Sequence, residues 1–143
     1  MAKVATPHDE LTYKVIGFAM TVHNELGPGL NEEMYRKAML ILINEESVRY
    51  EREYQVNLLF RNKPVGLLKL DLVIEQKLIV ELKAVSALAA IHEQQTLTYL
   101  SASGLEVALL INFGAARLEY KRLFPSKAVQ DSNAYKSRKT SSQ

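Results

Sequence analysis

The sequence predicts an α/β fold, a mixed β-sheet flanked by helices, and three observations predict it. Two helical periodicities occupy residues 7–46, on either side of Gly27-Pro28-Gly29. Three strand-like runs then fall between residues 54 and 85, separated by short polar turns. From residue 88 to 102 the apolar period lengthens from two toward about 3.6 before residues 105–113 read as strand again, which makes the intervening segment a crossover helix. Helices packed on a mixed sheet form an α/β sandwich.

Each element has a local cause. Thr6 stands where a helix cap would, with Pro7 at the first helical position and acidic residues in the first turn. Leu11, Val15, Phe18, Val22 and Leu26 recur at spacings of three and four and mark one apolar face. The second helix is expected from Leu30 or Asn31 to Glu46, with Met34, Ala38 and Leu42 facing inward. Tyr54, Val56 and Leu58 alternate with Glu53, Gln55 and Asn57, a half-exposed strand, and Arg61-Asn62-Lys63-Pro64 turns the chain back. Strands are expected at residues 65–74 and 78–85; Gly104 ends the crossover helix, and the strands at 105–113 and 117–124 complete the domain.

Residues 1–124 read as a single domain, and residues 125–143 as a basic tail that composition alone predicts to be disordered. The tail holds Lys127, Lys136, Arg138 and Lys139 against Asp131; residues 1–124 therefore carry 14 basic and 15 acidic side chains, and the overall charge of +2 belongs to the tail. That tail would add at most a weak, salt-sensitive attraction to nucleic acid. No run approaches the ~18 uncharged apolar residues of a membrane helix, and no secretory signal is evident, so a cytoplasmic protein without membrane contact is expected. The absence of Cys excludes disulfides and thiolate chemistry, and three His offer little for zinc, so any metal would be held by oxygen.

The chemistry concentrates in residues 70–85. Two apolar runs, 70–74 and 78–85, flank Glu75-Gln76-Lys77 and read as a β-hairpin interrupted by Asp71 in one strand and by Glu81 and Lys83 in the other. Glu81 and Lys83, two apart, share a face. Asp71 joins them only if the loop is odd and centred on Gln76, as a three-residue loop over residues 75–77 would be. A two-residue turn would pair Asp71 with Val80 and part the carboxylates; a bulge would also change the parity. The lack of Gly or Asn argues for the longer loop over a tight primed turn.

Carboxylates from two adjacent strands, with Glu32 in the first turn of the second helix, form the kind of hard-oxygen set that binds Mg²⁺ or Mn²⁺. Such an ion would draw a phosphate oxygen and a water together. Lys83 would position that water or offset charge on phosphorus; sequence does not choose between them. The plain alternative is a cross-strand ion pair of Asp71 or Glu81 with Lys83 or Lys69, with Glu32 merely complementing the helix dipole. His92, Gln95 and Tyr99 share one side of the crossover helix, and His23 ends the first.

Asp71 followed by Glu81-Leu82-Lys83 resembles the signature of the PD-(D/E)XK nuclease superfamily, with Leu70 where that signature has Pro. The run from Gly29 through Glu32 to Tyr35 reads Gly-x-x-Glu-x-x-Tyr and resembles the GxxExxY branch, as do His23, the His92-to-Tyr99 segment and Leu110-Ile111-Asn112-Phe113-Gly114. The resemblance spans roughly residues 11–124. It implies a restriction-endonuclease-like core, a Mg²⁺- or Mn²⁺-dependent nuclease with Asp71, Glu81 and Glu32 at the metal and Lys83 at the attacking water, and Gln95 and Tyr99 beside the substrate. Tyr35 and His23 enter the substrate-binding set through the same motifs, and Lys69, where the branch commonly has Arg, would meet phosphate as a point charge.

DNA is the expected polymer ahead of RNA, and a homodimer is compatible with so small a core. The rival reading is a catalytically silent nuclease-like module that binds nucleic acid or protein, motivated by a nearly neutral domain with no evident basic face.

Overall fold

The computed structural model describes residues 5–142 and contains one five-stranded sheet in the order β1-β2-β3-β4-β5. The chain enters through two helices, α1 (Asp9–Leu26) and α2 (Glu32–Glu45), then forms β1 (Tyr50–Phe60), β2 (Lys63–Ile74) and β3 (Leu78–Lys83) as an antiparallel meander. Helix α3 (Ala90–Ser103) crosses over to β4 (Val107–Asn112), parallel to β3, and β5 (Glu119–Leu123) returns antiparallel to it. The mixed sheet flanked by helices is the fold class the sequence predicts. Strands β3 and β4 are apolar on both faces because both are covered: α1 and α2 pack on one side, where Val15, Met39 and Ile43 meet Leu72, Val80 and Leu109, and α3 on the other, where Tyr99 and Leu100 meet Leu70, Ile79 and Ala108.

The first helix starts later than the Thr6 cap implied. Its N-cap is His8, which makes no side-chain cap, while the Thr6 main-chain N–H and hydroxyl both donate to Asp9. Asn31 does cap α2, its Oδ1 accepting the Met34 N–H at 3.0 Å, which places Glu32 at the first helical position.

The 75–77 loop is centred on Gln76. Leu72 stands opposite Val80, Val73 opposite Ile79 and Ile74 opposite Leu78, so the register gives Asp71 and Glu81 the same parity. The turn chemistry differs from expectation. Glu75 and Gln76 have φ of 54° and 56°, the left-handed pair of a primed turn, with the Lys77 N–H bonded to Ile74 O at 2.9 Å. Arg49 holds Glu75 there: its carbonyl accepts the Glu75 N–H and its own N–H donates to the Glu75 carboxylate, both at 2.9 Å. These two bonds supply locally what Gly or Asn would supply by conformational freedom.

The segment whose composition reads as a disordered tail contains two helices in the structure, α4 (Lys127–Asp131) and α5 (Asn133–Ser142). Tyr135 is buried and its hydroxyl donates to Leu105 O at 2.7 Å, while Arg138 reaches Ser101 O at 2.9 Å. Gly104, with φ 78°, ends α3 where a side chain would collide with the Arg138 backbone. Among the described residues, no helix is long and apolar enough to cross a membrane.

Candidate active site

At Asp71 the sheet stops being regular. Leu70 packs on the α3 side while Leu72 packs on the α1–α2 side, although residues two apart in a regular strand share a face. The register passes from Arg52 opposite Leu72 to Tyr54 opposite Leu70, and the intervening Glu53 adopts φ 51°. On the other flank the β2–β3 ladder ends at the Leu72 and Val80 pair. Two side chains extend it by one rung. Glu81 Oε1 accepts the Asp71 N–H at 2.8 Å, and Asp71 Oδ2 accepts the Leu82 N–H at 3.0 Å. The carboxylates thus stand in for main-chain carbonyls where the strands part.

The parting opens a cleft of about 260 Å³ lined by Glu32, Glu33, Arg36, Arg52, Glu53, Lys69, Asp71 and Glu81. The structure therefore brings Asp71, Glu81, Glu32 and Lys69 together. Burial pushes the Glu81 carboxyl up to about 7; the Asp71 N–H and Lys83 pull it down, and the charges of Asp71 and Glu32 push it up. Lys83 is thus within electrostatic reach of Glu81. Tyr99 is also close: burial first, then the charges of Glu81 and Asp71, raise its phenol above the ordinary range. Gln95 is exposed on α3. A larger hollow of about 440 Å³ beside the 75–77 turn contains none of the sequence-predicted site residues in its lining.

Two candidates lie elsewhere. Tyr35 is fully buried, donates to Gly27 O at 2.5 Å, accepts the Leu30 N–H at 3.2 Å and stacks on Phe113 at 4.6 Å. It fastens the Gly27–Leu30 turn to the core rather than lining the cleft. His23 is buried as well, with Nε2 3.0 Å from Ala115 O. His92 accepts the Ala89 N–H at 3.0 Å and caps α3.

Arg36 is the residue that sequence reasoning missed. Its guanidinium donates to both oxygens of Asp71 (Nη2 to Oδ2 at 3.0 Å), to Glu32 at 2.9 Å and to Glu33. Only 12% of its side chain is exposed. Burial disfavours its charge, but Asp71, Glu33 and Glu32 outweigh that and hold it charged. Arg52 adds a forked contact to Glu33 at 2.9 and 3.0 Å. The signal was present: Arg36 follows Glu33 and Glu32 by three and four residues, the spacing at which helix side chains meet.

Carboxylate oxygens are the right donors for a hard divalent ion, but here they do not converge on one. Among the described residues no group of three acids, His or Cys is arranged to hold a metal. The Arg36 guanidinium bridges Glu32 and Asp71 instead, and one Glu81 oxygen is committed to the Asp71 N–H.

The sequence profile of the PD-(D/E)XK nuclease superfamily matches residues 9–123, and the chain belongs to that superfamily. The crystal structure of SSO0001 is similar at a TM-score of 0.48 and 14% identity, over 91% of this chain and 73% of that one. Comparison with curated proteins finds no match. Nuclease chemistry is the activity the superfamily suggests.

Proposed function

We propose that the protein is a divalent-cation-dependent nuclease of the GxxExxY branch that hydrolyses phosphodiester bonds in DNA. The observation that supports this best is the pair of bonds at the point where β2 and β3 part, Glu81 accepting the Asp71 N–H and the Asp71 carboxylate accepting the Leu82 N–H, with the charge of Lys83 acting on Glu81. Hydrolysis requires a water oxygen to bond to phosphorus as the P–O ester bond breaks and the leaving oxygen gains a proton. Lys83 would orient that water or offset charge on phosphorus, Tyr99 and Gln95 would flank the substrate, and Lys69 at the cleft rim would meet phosphate.

Mg²⁺ or Mn²⁺ is the cofactor this chemistry calls for, and Arg36 is its competitor for Asp71 and Glu32. Arg36→Gln is expected to bind Mn²⁺ at least ten-fold more tightly than wild type by calorimetry, and equal affinities would show that the guanidinium does not compete. The activity itself is tested with labelled single- and double-stranded DNA and RNA in Mg²⁺ or Mn²⁺, beside Asp71→Ala and Lys83→Ala. Cleavage by wild type alone supports the reading, and intact substrates throughout overturn it. The bonding of Arg36 to the acids also favours a second reading, a silent nucleic-acid-binding module; binding without cleavage, and no Mn²⁺ uptake even by Arg36→Gln, is its expected result.

A further inference from the structure

Beyond Asp71, β2 leaves the body of the sheet. Its pairing with β3 is confined to residues 72–74, whereas its pairing with β1 continues to Phe60 opposite Lys63. Residues 54–70 are therefore a two-stranded arm, and eight residues from Asp71 to Lys63 reach about 25 Å at strand rise. Arg61 and Asn62, at φ 51° and 63°, close it with a tight left-handed turn. One face is tied down, with Tyr54, Val56 and Leu68 packed toward Tyr99 and Leu100. The other face is exposed and pairs Gln55 with Lys69 and Asn57 with Leu67. At the tip Phe60 is 64% exposed with Arg61 stacked over its ring at 5.4 Å, and Val65 is 61% exposed.

The charge of this arm differs from the rest of the domain. Residues 54–70 contain Arg61, Lys63 and Lys69 and no carboxylate, while the remainder of residues 1–124 has 11 basic and 15 acidic side chains. The nearly neutral domain average thus conceals a cationic ribbon continuous with the cleft, since Lys69 belongs to both. We propose that this arm is the duplex-gripping element of the protein, lying in the major groove of DNA with its exposed Gln55 and Asn57 face toward the bases, Lys69 on phosphate at the cleft rim and its tip on the backbone. The major groove, about 12 Å wide, admits a two-stranded ribbon, and Asn and Gln have the groups to bond base edges there. Arg61 and Lys63 at the tip meet phosphates. The inference rests on the nucleic-acid reading of the cleft and adds the surface that reading lacked.

The test is fluorescence anisotropy with a labelled 30-base-pair duplex in EDTA, so that binding is read without cleavage, for wild type, R61A/K63A, N57A and F60A. Every altered side chain is exposed, and circular dichroism checks folding. Wild type is expected to bind with a salt-dependent affinity. R61A/K63A should lose at least ten-fold at 100 mM salt and flatten the log–log salt slope by nearly two, about 0.9 for each phosphate contact removed. N57A should weaken binding with the slope unchanged. If wild type binds and R61A/K63A binds equally well, the arm inference falls while the nuclease reading stands. If wild type binds no duplex under any salt condition, the arm inference falls, and the nuclease reading is decided separately by the cleavage assay in Mg²⁺ or Mn²⁺. If F60A dissociates a wild-type dimer in sedimentation and leaves DNA affinity intact, the arm is an interface between two copies and the inference is overturned.

Discussion

Glu81 gives the molecule a specific pH dependence. Its folded pKa of about 7 lies above its ordinary value of 4.5, and it is raised chiefly by burial. Between those values the folded protein keeps a proton that the unfolded chain has released, so folding is progressively disfavoured as pH rises from about 4.5 to 7 and recovers as pH falls. Glu81→Gln keeps an oxygen for the Asp71 N–H and abolishes the titration. In metal-free urea titrations the variant should have a flatter pH–stability curve and be more stable at pH 8 by up to about 3 kcal/mol; identical curves for the two proteins would refute this origin. Asp71 and Glu81 were visible in the sequence because carboxylates interrupt apolar strands, and Glu32, which alone reads as a partner of the helix dipole, stood out through the family resemblance. Arg36 was hidden because cations are ordinary on helix surfaces, and only the folded chain shows this one turned onto Asp71.

At the scale of elements, parity was the readable quantity and geometry the unreadable one. The charged side chains at Asp71 and Glu81 required an odd loop centred on Gln76, and the register has it. Nothing local announced that Glu75 and Gln76 would both be left-handed, because the cause lies in Arg49, some 26 residues earlier in the chain. Nor did alternation warn that β2 turns over at Asp71. The connection after β3 is fixed by Asn112, fully buried at the end of β4. Its Oδ1 accepts the Val85 and Gly114 N–H groups at 2.9 and 3.0 Å, and its Nδ2 donates to Val85 O at 2.9 Å and to Glu119 at 2.8 Å. Gly114 is required there, since a Cβ would lie 2.3 Å from Val85 O. Asn112→Ala should therefore cost about 3 kcal/mol, on the scale of one or two buried polar groups left without partners, and the loss is read directly by chemical denaturation.

For the whole molecule, the tail residues change meaning. Their Ser- and Lys-rich composition reads as disorder because it cannot fund a core of its own. It does not need one, since Tyr135 inserts into the body and Lys139 pairs with Glu106 at 3.2 Å. Tyr135→Ala should lower stability by about 3 kcal/mol, and Tyr135→Phe, which loses only the bond to Leu105 O, by about 1 kcal/mol. Both should unfold in a single transition by circular dichroism; a tail that detached separately would leave the main transition unmoved. The charge that makes the chain basic is thus partly spent on internal contacts, which shifts attention to the arm as the cationic surface.

The bonds that the Glu81 and Asp71 carboxylates accept from the facing strand have a consequence for observing the protein at work. Two main-chain amides, those of Asp71 and Leu82, donate to the side chains of the candidate site. Any ligand that draws those carboxylates away frees both amides together, while the neighbouring amides of the β2–β3 ladder keep their partners. A paired rise in deuterium uptake at these two positions on adding Mn²⁺ would make the backbone itself a gauge of whether the cleft is filled.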